Sequence, residues 1–171
     1  INLSVVGHCD GRPGYQNYGG CLSVVELDTI TGEAEILQSH LVYDCGKSLN
    51  PAIDIGQAEG AFVMGLGFLL REEVTHNEDG KLINDGTWEY KPPSFRDIPQ
   101  KFDVNFLHDA PFKKGFMSSK ASGEPPLVLA NSVGFALRQA IRAARLENGL
   151  PDEFFILNTP LTVDAIQKYC G

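Results

Sequence analysis

Residues 50–70 constrain this chain more than any other stretch. Asn50 followed by Pro51 has the form of an N-cap with proline at the first helical position, and Asp54 adds a negative charge where the helix dipole favours it. Ile55, Ala58, Phe62, Leu66 and Leu69 then fall on one face, and Ile53, Gly60, Ala61, Met64 and Phe68 on another. A helix apolar on both faces is expected to be buried, so the rest of the chain must supply layers for it. Its glycines, Gly56, Gly60, Gly65 and Gly67, each cost roughly 1 kcal/mol of helix propensity relative to Ala. Close approach of another backbone or of a ligand is the gain that offsets this.

Around that helix the pattern is β-rich. Residues 1–6 and 21–27 read as strands joined by a glycine-rich connection over 11–20, and Thr31-Gly32 turns the chain. Residues 35–43 alternate roughly, with Ile36, His40 and Val42 set against Glu35, Ser39 and Leu41, which suggests a hairpin. Glu78-Asp79-Gly80 is a turn signal, Pro92, Pro93 and Pro99 interrupt the next stretch, and 102–107 is its best strand. A second helix is expected from Pro125 to about Glu147, with Leu129, Val133, Ala136, Ala140 and Ala143 along its core face, stopped by Asn148-Gly149 and Pro151. Arg138, Arg142 and Arg145 read as a solvated stripe on it. The expected fold is one α+β unit over residues 1–171, short strands and hairpins packed on two long buried helices.

Composition narrows the function. A hydrophobic content of 43% suits a single core of ordinary size, and a formal charge of -8 with a pI near 4.9 excludes a nucleic-acid partner. The longest unbroken apolar run, 61–70, is about half of the roughly 20 residues a bilayer-spanning helix needs, so no membrane partner is expected. The chain opens on Ile1 with no signal region, so it is expected to be a piece of something longer. Cys9, Cys21, Cys45 and Cys170 form no CxxC pair, and scattered thiols fit a reducing, cytoplasmic setting.

Two constellations could carry chemistry. Residues 118–126 combine small residues, one carboxylate and two prolines: backbone there can approach a ligand, and Glu124 is fixed at a helix start. Glu124 suits a general base, or it merely caps the helix. In Gly56-Gln57-Ala58-Glu59-Gly60, a Gln57 amide buried in apolar surroundings must bond either to backbone or to a polar cofactor. The histidines His8, His40, His76 and His108 lack metal-ligand spacing, so no metal-binding residues are assigned. Cys45 and Ser122 have no adjacent base, and 56–67 lacks the Gly-Lys-Ser/Thr of a phosphate loop.

The run from Tyr43-Asp44-Cys45-Gly46 through Ser48-Leu49-Asn50-Pro51-Ala52-Ile53-Asp54-Ile55-Gly56-Gln57 to Glu59-Gly60-Ala61-Phe62 resembles the aldehyde oxidase and xanthine dehydrogenase family. Ser119-Lys120 to Glu124-Pro125-Pro126 resembles it again, in the right order and at the right distance. Asn84-Asp85-Gly86-Thr87-Trp88-Glu89-Tyr90-Lys91 looks closer to the aldehyde oxidase branch. The resemblance implies the C-terminal part of a molybdenum-molybdopterin-binding region, with 2Fe-2S and FAD domains upstream. It implies oxidation of small-molecule aldehydes or N-heterocycles with oxygen from water, Glu124 as the base, and Gln57 and the backbone at Ser122 against the cofactor. The implied partner is the remainder of a longer, homodimeric enzyme, the isolated piece being inactive. The alternatives are the xanthine dehydrogenase branch, or a stand-alone interaction domain in which Glu124 only caps a helix. Met64 departs from the family pattern, which has Gln there.

Overall fold

The computed structural model describes residues 14–171; the strand expected over 1–6, together with His8 and Cys9, lies outside the described residues. Strands β1 (Gly19–Leu27) and β2 (Ala34–Tyr43) form the expected antiparallel hairpin. Its turn is built on Asp28, whose carboxylate accepts from the N–H groups of Ile30 and Thr31 at 2.8 and 3.0 Å. Those N–H groups hold the Asp28 carboxyl below its usual range. Gly32 completes the turn at φ +81°, a conformation that favours glycine.

The third strand, β3 (Lys101–Phe106), joins the other edge of β2 in parallel, giving a three-stranded mixed sheet in the order β1-β2-β3. A parallel neighbour requires a crossover. Helix α1 (Pro51–Leu70) lies within that connection. After β3 the chain passes through a 3-10 helix, Pro125–Ala130, into α2 (Asn131–Glu147) and ends with α3 (Val163–Cys170). The chain is thus α+β, as expected, but a short third helix joins the two long ones.

Three expectations about faces need correction. Helix α1 is buried on one side only, through Ala58, Ala61, Phe62, Leu66 and Leu69, while Ile53, Met64 and Phe68 are more than 60% exposed. Its glycines divide the same way. A Cβ on Gly65 would collide with the Leu127 carbonyl and stand 2.7 Å from Ala130 Cβ, whereas one on Gly56 or Gly60 would meet open space. Secondly, α2 buries Val133, Leu137, Ile141 and Ala144, while Ala136 and Ala140 are half-buried and Ala143 is exposed. The bulky aliphatic residues at helical spacing own the core face, and the alanines flank it. Thirdly, the buried residues in the second half of β2 are Ser39, Leu41 and Tyr43, and Val42 is exposed. The register slips by one residue where Val24 faces Gln38 but Val25 faces Ile36, so Leu37 is extra and the alternation changes phase.

By length and composition alone α1 is able to cross a bilayer, which the ten-residue apolar run had not suggested. Here its apolar side packs on the 3-10 helix and α2, and Asp54, Gln57 and Glu59 interrupt the rest.

The arginine stripe of α2 is more than a solvated face. Arg138 donates to the Phe155 carbonyl at 2.8 Å and lies over the rings of Phe154 and Phe155, and Arg145 covers Phe155 from two turns further along. Arg142 holds the Asp152 carboxylate through two hydrogen bonds, which keeps that carboxyl below its ordinary range. The three guanidinium groups hold residues 152–155 along the helix.

Candidate functional site

The site forms where the end of β2 meets the segment that precedes the 3-10 helix. Residues 44–47 and 118–120 run side by side: Lys47 N–H donates to the Ser118 carbonyl and Lys120 N–H to the Cys45 carbonyl, each at 2.8 Å. Gly46 adopts φ +65°, and a Cβ there would stand 2.7 Å from the Ser118 oxygen, so the pairing requires glycine.

Beneath this pairing is an ion pair. Lys120 Nζ lies 2.5 Å from Asp44 Oδ2, with only 9% and 6% of the two side chains exposed. Asp44 Oδ1 accepts from Gly46 N–H at 2.9 Å, and Lys120 also donates to the Gln16 carbonyl at 2.9 Å, so both charges have further partners. The Tyr43 hydroxyl donates to the Ala121 carbonyl, and the Asn17 amide donates to the Tyr43 oxygen at 2.8 Å and the Asp44 carbonyl at 3.1 Å. Burial raises the Tyr43 phenol far above its usual range. Cys45 between them is also buried, which raises its thiol and keeps it from acting as a ready nucleophile.

The next layer is the N-terminus of α1. Asn50 caps it through its side chain and Pro51 follows, as the sequence indicates. Asp54 in the first turn accepts from the hydroxyl of Ser48 at 2.6 Å and from that of Ser122 at 2.8 Å. One turn on, Gln57 faces Gly123, where an added Cβ would stand 2.5 Å from Gln57 Oε1.

Gln57 is therefore exposed, not buried in apolar surroundings, because it falls on the side of α1 that the core does not cover. Ser122 is half-buried and turns its hydroxyl to Asp54. Glu124 is exposed and makes no side-chain capping bond to the 3-10 helix it precedes. Its carboxylate is not used as a cap. The three residues singled out in the sequence meet at one edge, Gln57 reaching Gly123 between Ser122 and Glu124.

Sequence reasoning missed the residues that hold this edge together. In the sequence Asp54 stands out only as a dipole partner, and no local signal gives Ser48, Asp44 or Lys120 a role, although each lies in one of the motifs above. His40 pairs with Asp103 at 2.9 Å, and among the described residues no group of His, Cys, Asp and Glu is arranged to hold a metal ion.

Residues 1–99 match the family model described as molybdopterin cofactor-binding domain. A probable aldehyde oxidase 3 of Oryza sativa subsp. japonica is 54% identical over 160 residues, covering 92% of this chain and 12% of that protein. An indole-3-acetaldehyde oxidase of Zea mays is 48% identical over 180 residues, covering 100% of this chain and 13% of that protein. Among solved structures, quinoline 2-oxidoreductase from Pseudomonas putida 86 superposes with a TM-score of 0.74 at 25% identity, over 86% of this chain and 18% of that one. The CO dehydrogenase of Oligotropha carboxidovorans, at 18% identity and a TM-score of 0.74 over 90% of this chain and 18% of that one, shares the fold. The chain thus spans about one eighth of the length of the plant relatives it matches.

Proposed function

Because this chain belongs to the molybdopterin cofactor-binding domain family, we propose that residues 1–171 act as the C-terminal part of the cofactor-binding region of a molybdenum hydroxylase. Aldehydes are the first substrate class, since relatives at about 50% identity carry aldehyde oxidase names, and N-heterocycles are the second. The partner is the remainder of a longer chain, in which 2Fe-2S and FAD domains carry the electrons onward and which pairs as a homodimer.

The residues present fit a polar, anionic cofactor. Among the described residues nothing accepts from the backbone N–H groups of Ser122, Gly123 or Glu124, which leaves consecutive donors beside the Gln57 carboxamide. Open space flanks Gln57 at Gly56 and Gly60. Gln57 and the 122–123 backbone would hold the group, and the bound molybdenum cofactor supplies the two-electron oxidising chemistry.

The observation that carries the reading is Glu124 itself, an exposed carboxylate next to the Gln57–Gly123 contact with no capping bond to occupy it. Pro125 and Pro126 fix the backbone that follows, so its position varies little. Glu124 takes a proton from a water-derived oxygen as that oxygen adds to the electron-poor carbon of the substrate. Hydrogen leaves that carbon with the bonding pair, two electrons that the oxidising chemistry of the bound cofactor would take up, and the carboxylic acid form of Glu124 then returns its proton to solvent.

Gly123 gives the test of the cofactor contact. An alanine there would displace only the flexible end of Gln57, leaving the fold in place. In the longer protein, Gly123→Ala should lower molybdenum content severalfold with an unchanged thermal midpoint. Full molybdenum content would contradict the assignment of Gln57 and the 122–123 backbone.

A further inference from the structure

Asp54 uses both of its carboxylate oxygens. Oδ2 accepts from the Ser48 hydroxyl at 2.6 Å and Oδ1 from the Ser122 hydroxyl at 2.8 Å. Ser48 belongs to the loop entering α1 and Ser122 to the segment that ends at Glu124, so one side chain joins three stretches of backbone. Residues three apart share a helix face, and Gln57 meets Gly123 from the same face that presents Asp54 to Ser122. The first turns of α1 therefore grip two successive residues immediately before Glu124.

We propose that Asp54 is a positioning residue: its bonds to Ser48 and Ser122 hold residues 122–124 in register with α1 and so fix Glu124 relative to Gln57. This rests on the reading of Glu124 as the base. A serine hydroxyl has one proton to donate, and Ser122 gives it to Asp54. The hydroxyl is thereby held toward the helix, and the donors left to the segment are its backbone N–H groups.

The chemistry of the link separates positioning from a charge effect. An asparagine can keep both links, because its carbonyl oxygen accepts from one hydroxyl while its NH2 donates to the oxygen of the other. An alanine keeps neither. A simple interaction of the Asp54 charge with the helix dipole would be lost equally in both variants.

The experiment uses the longer protein carrying Asp54→Ala or Asp54→Asn, with hydrogen exchange of the hydrogen-bonded amides in 118–121 and kcat and KM at matched molybdenum content. Asp54→Ala should speed exchange in that segment by about 10-fold or more while α2 is unchanged, and should lower kcat by about 10-fold with KM little altered. Asp54→Asn should restore both. Unchanged exchange, a loosened segment with unchanged kcat, or an asparagine variant as impaired as alanine would each overturn the proposal. Exchange reports on the segment whether or not Glu124 is the base. Unchanged exchange therefore removes Asp54 alone, whereas normal turnover in Glu124→Gln removes the functional reading.

Discussion

Asp44 and Lys120 are 76 positions apart, yet their ion pair is the most buried one among the described residues, and it joins the two segments that form the site. Each lies in a motif legible in the sequence, but no local pattern pairs residues so distant. Gln57 shows the opposite case, a residue that stands out in its motif but lies in other surroundings than expected, because helical periodicity could not say that one face of α1 lacks cover. A buried pair is most sensitive to losing one partner, since the other charge is then stranded. Lys120→Met in the 171-residue chain should lower stability by about 3 kcal/mol. Adding Asp44→Asn should recover much of that, because the stranded charge is removed too. Urea midpoints of the two variants measure this, and a double variant weaker than the single one would show that the pair acts by packing instead.

At the scale of elements, the hairpin, the turn at Gly32, the capped start of α1 and the Glu78-Asp79-Gly80 turn were all legible, since each rests on local chemistry. The Gly80 φ of +77° and the Asn50 cap bond are what those residue types predict. What was illegible depends on distant neighbours: the parallel pairing of β3 with β2, the one-residue slip at Leu37, and which side of α1 is covered. The eight-residue α3 was too short to stand out from its surroundings. The glycines of α1 turn this difference into a test with opposite signs. Gly60→Ala, facing open space, should stabilise the 171-residue chain by about 0.5–1 kcal/mol through helix propensity. Gly65→Ala, facing the Leu127 carbonyl and Ala130, should destabilise it by about 1–3 kcal/mol. Thermal midpoints moving in the same direction would contradict the division of the helix into a packed and an open face.

For the whole molecule, the arrangement has a closed side and an open one. The core lies between the sheet and the helices, and the arginines of α2 bind residues 152–155 over it. On the other side Ile53, Met64 and Phe68 are exposed along α1, next to Gln57 and the segment leading to Glu124. A chain covering 12% of its rice relative and carrying such a face fits the proposal that it completes a larger cofactor-binding region. The role of Glu124 in that region is testable only where the whole region is assembled. Glu124→Gln preserves shape and some hydrogen bonding but cannot accept the proton. In the longer protein, at matched molybdenum content, it should lower turnover by about 100-fold or more and leave the thermal midpoint within error. Turnover close to that of the unaltered protein would remove Glu124 from the mechanism.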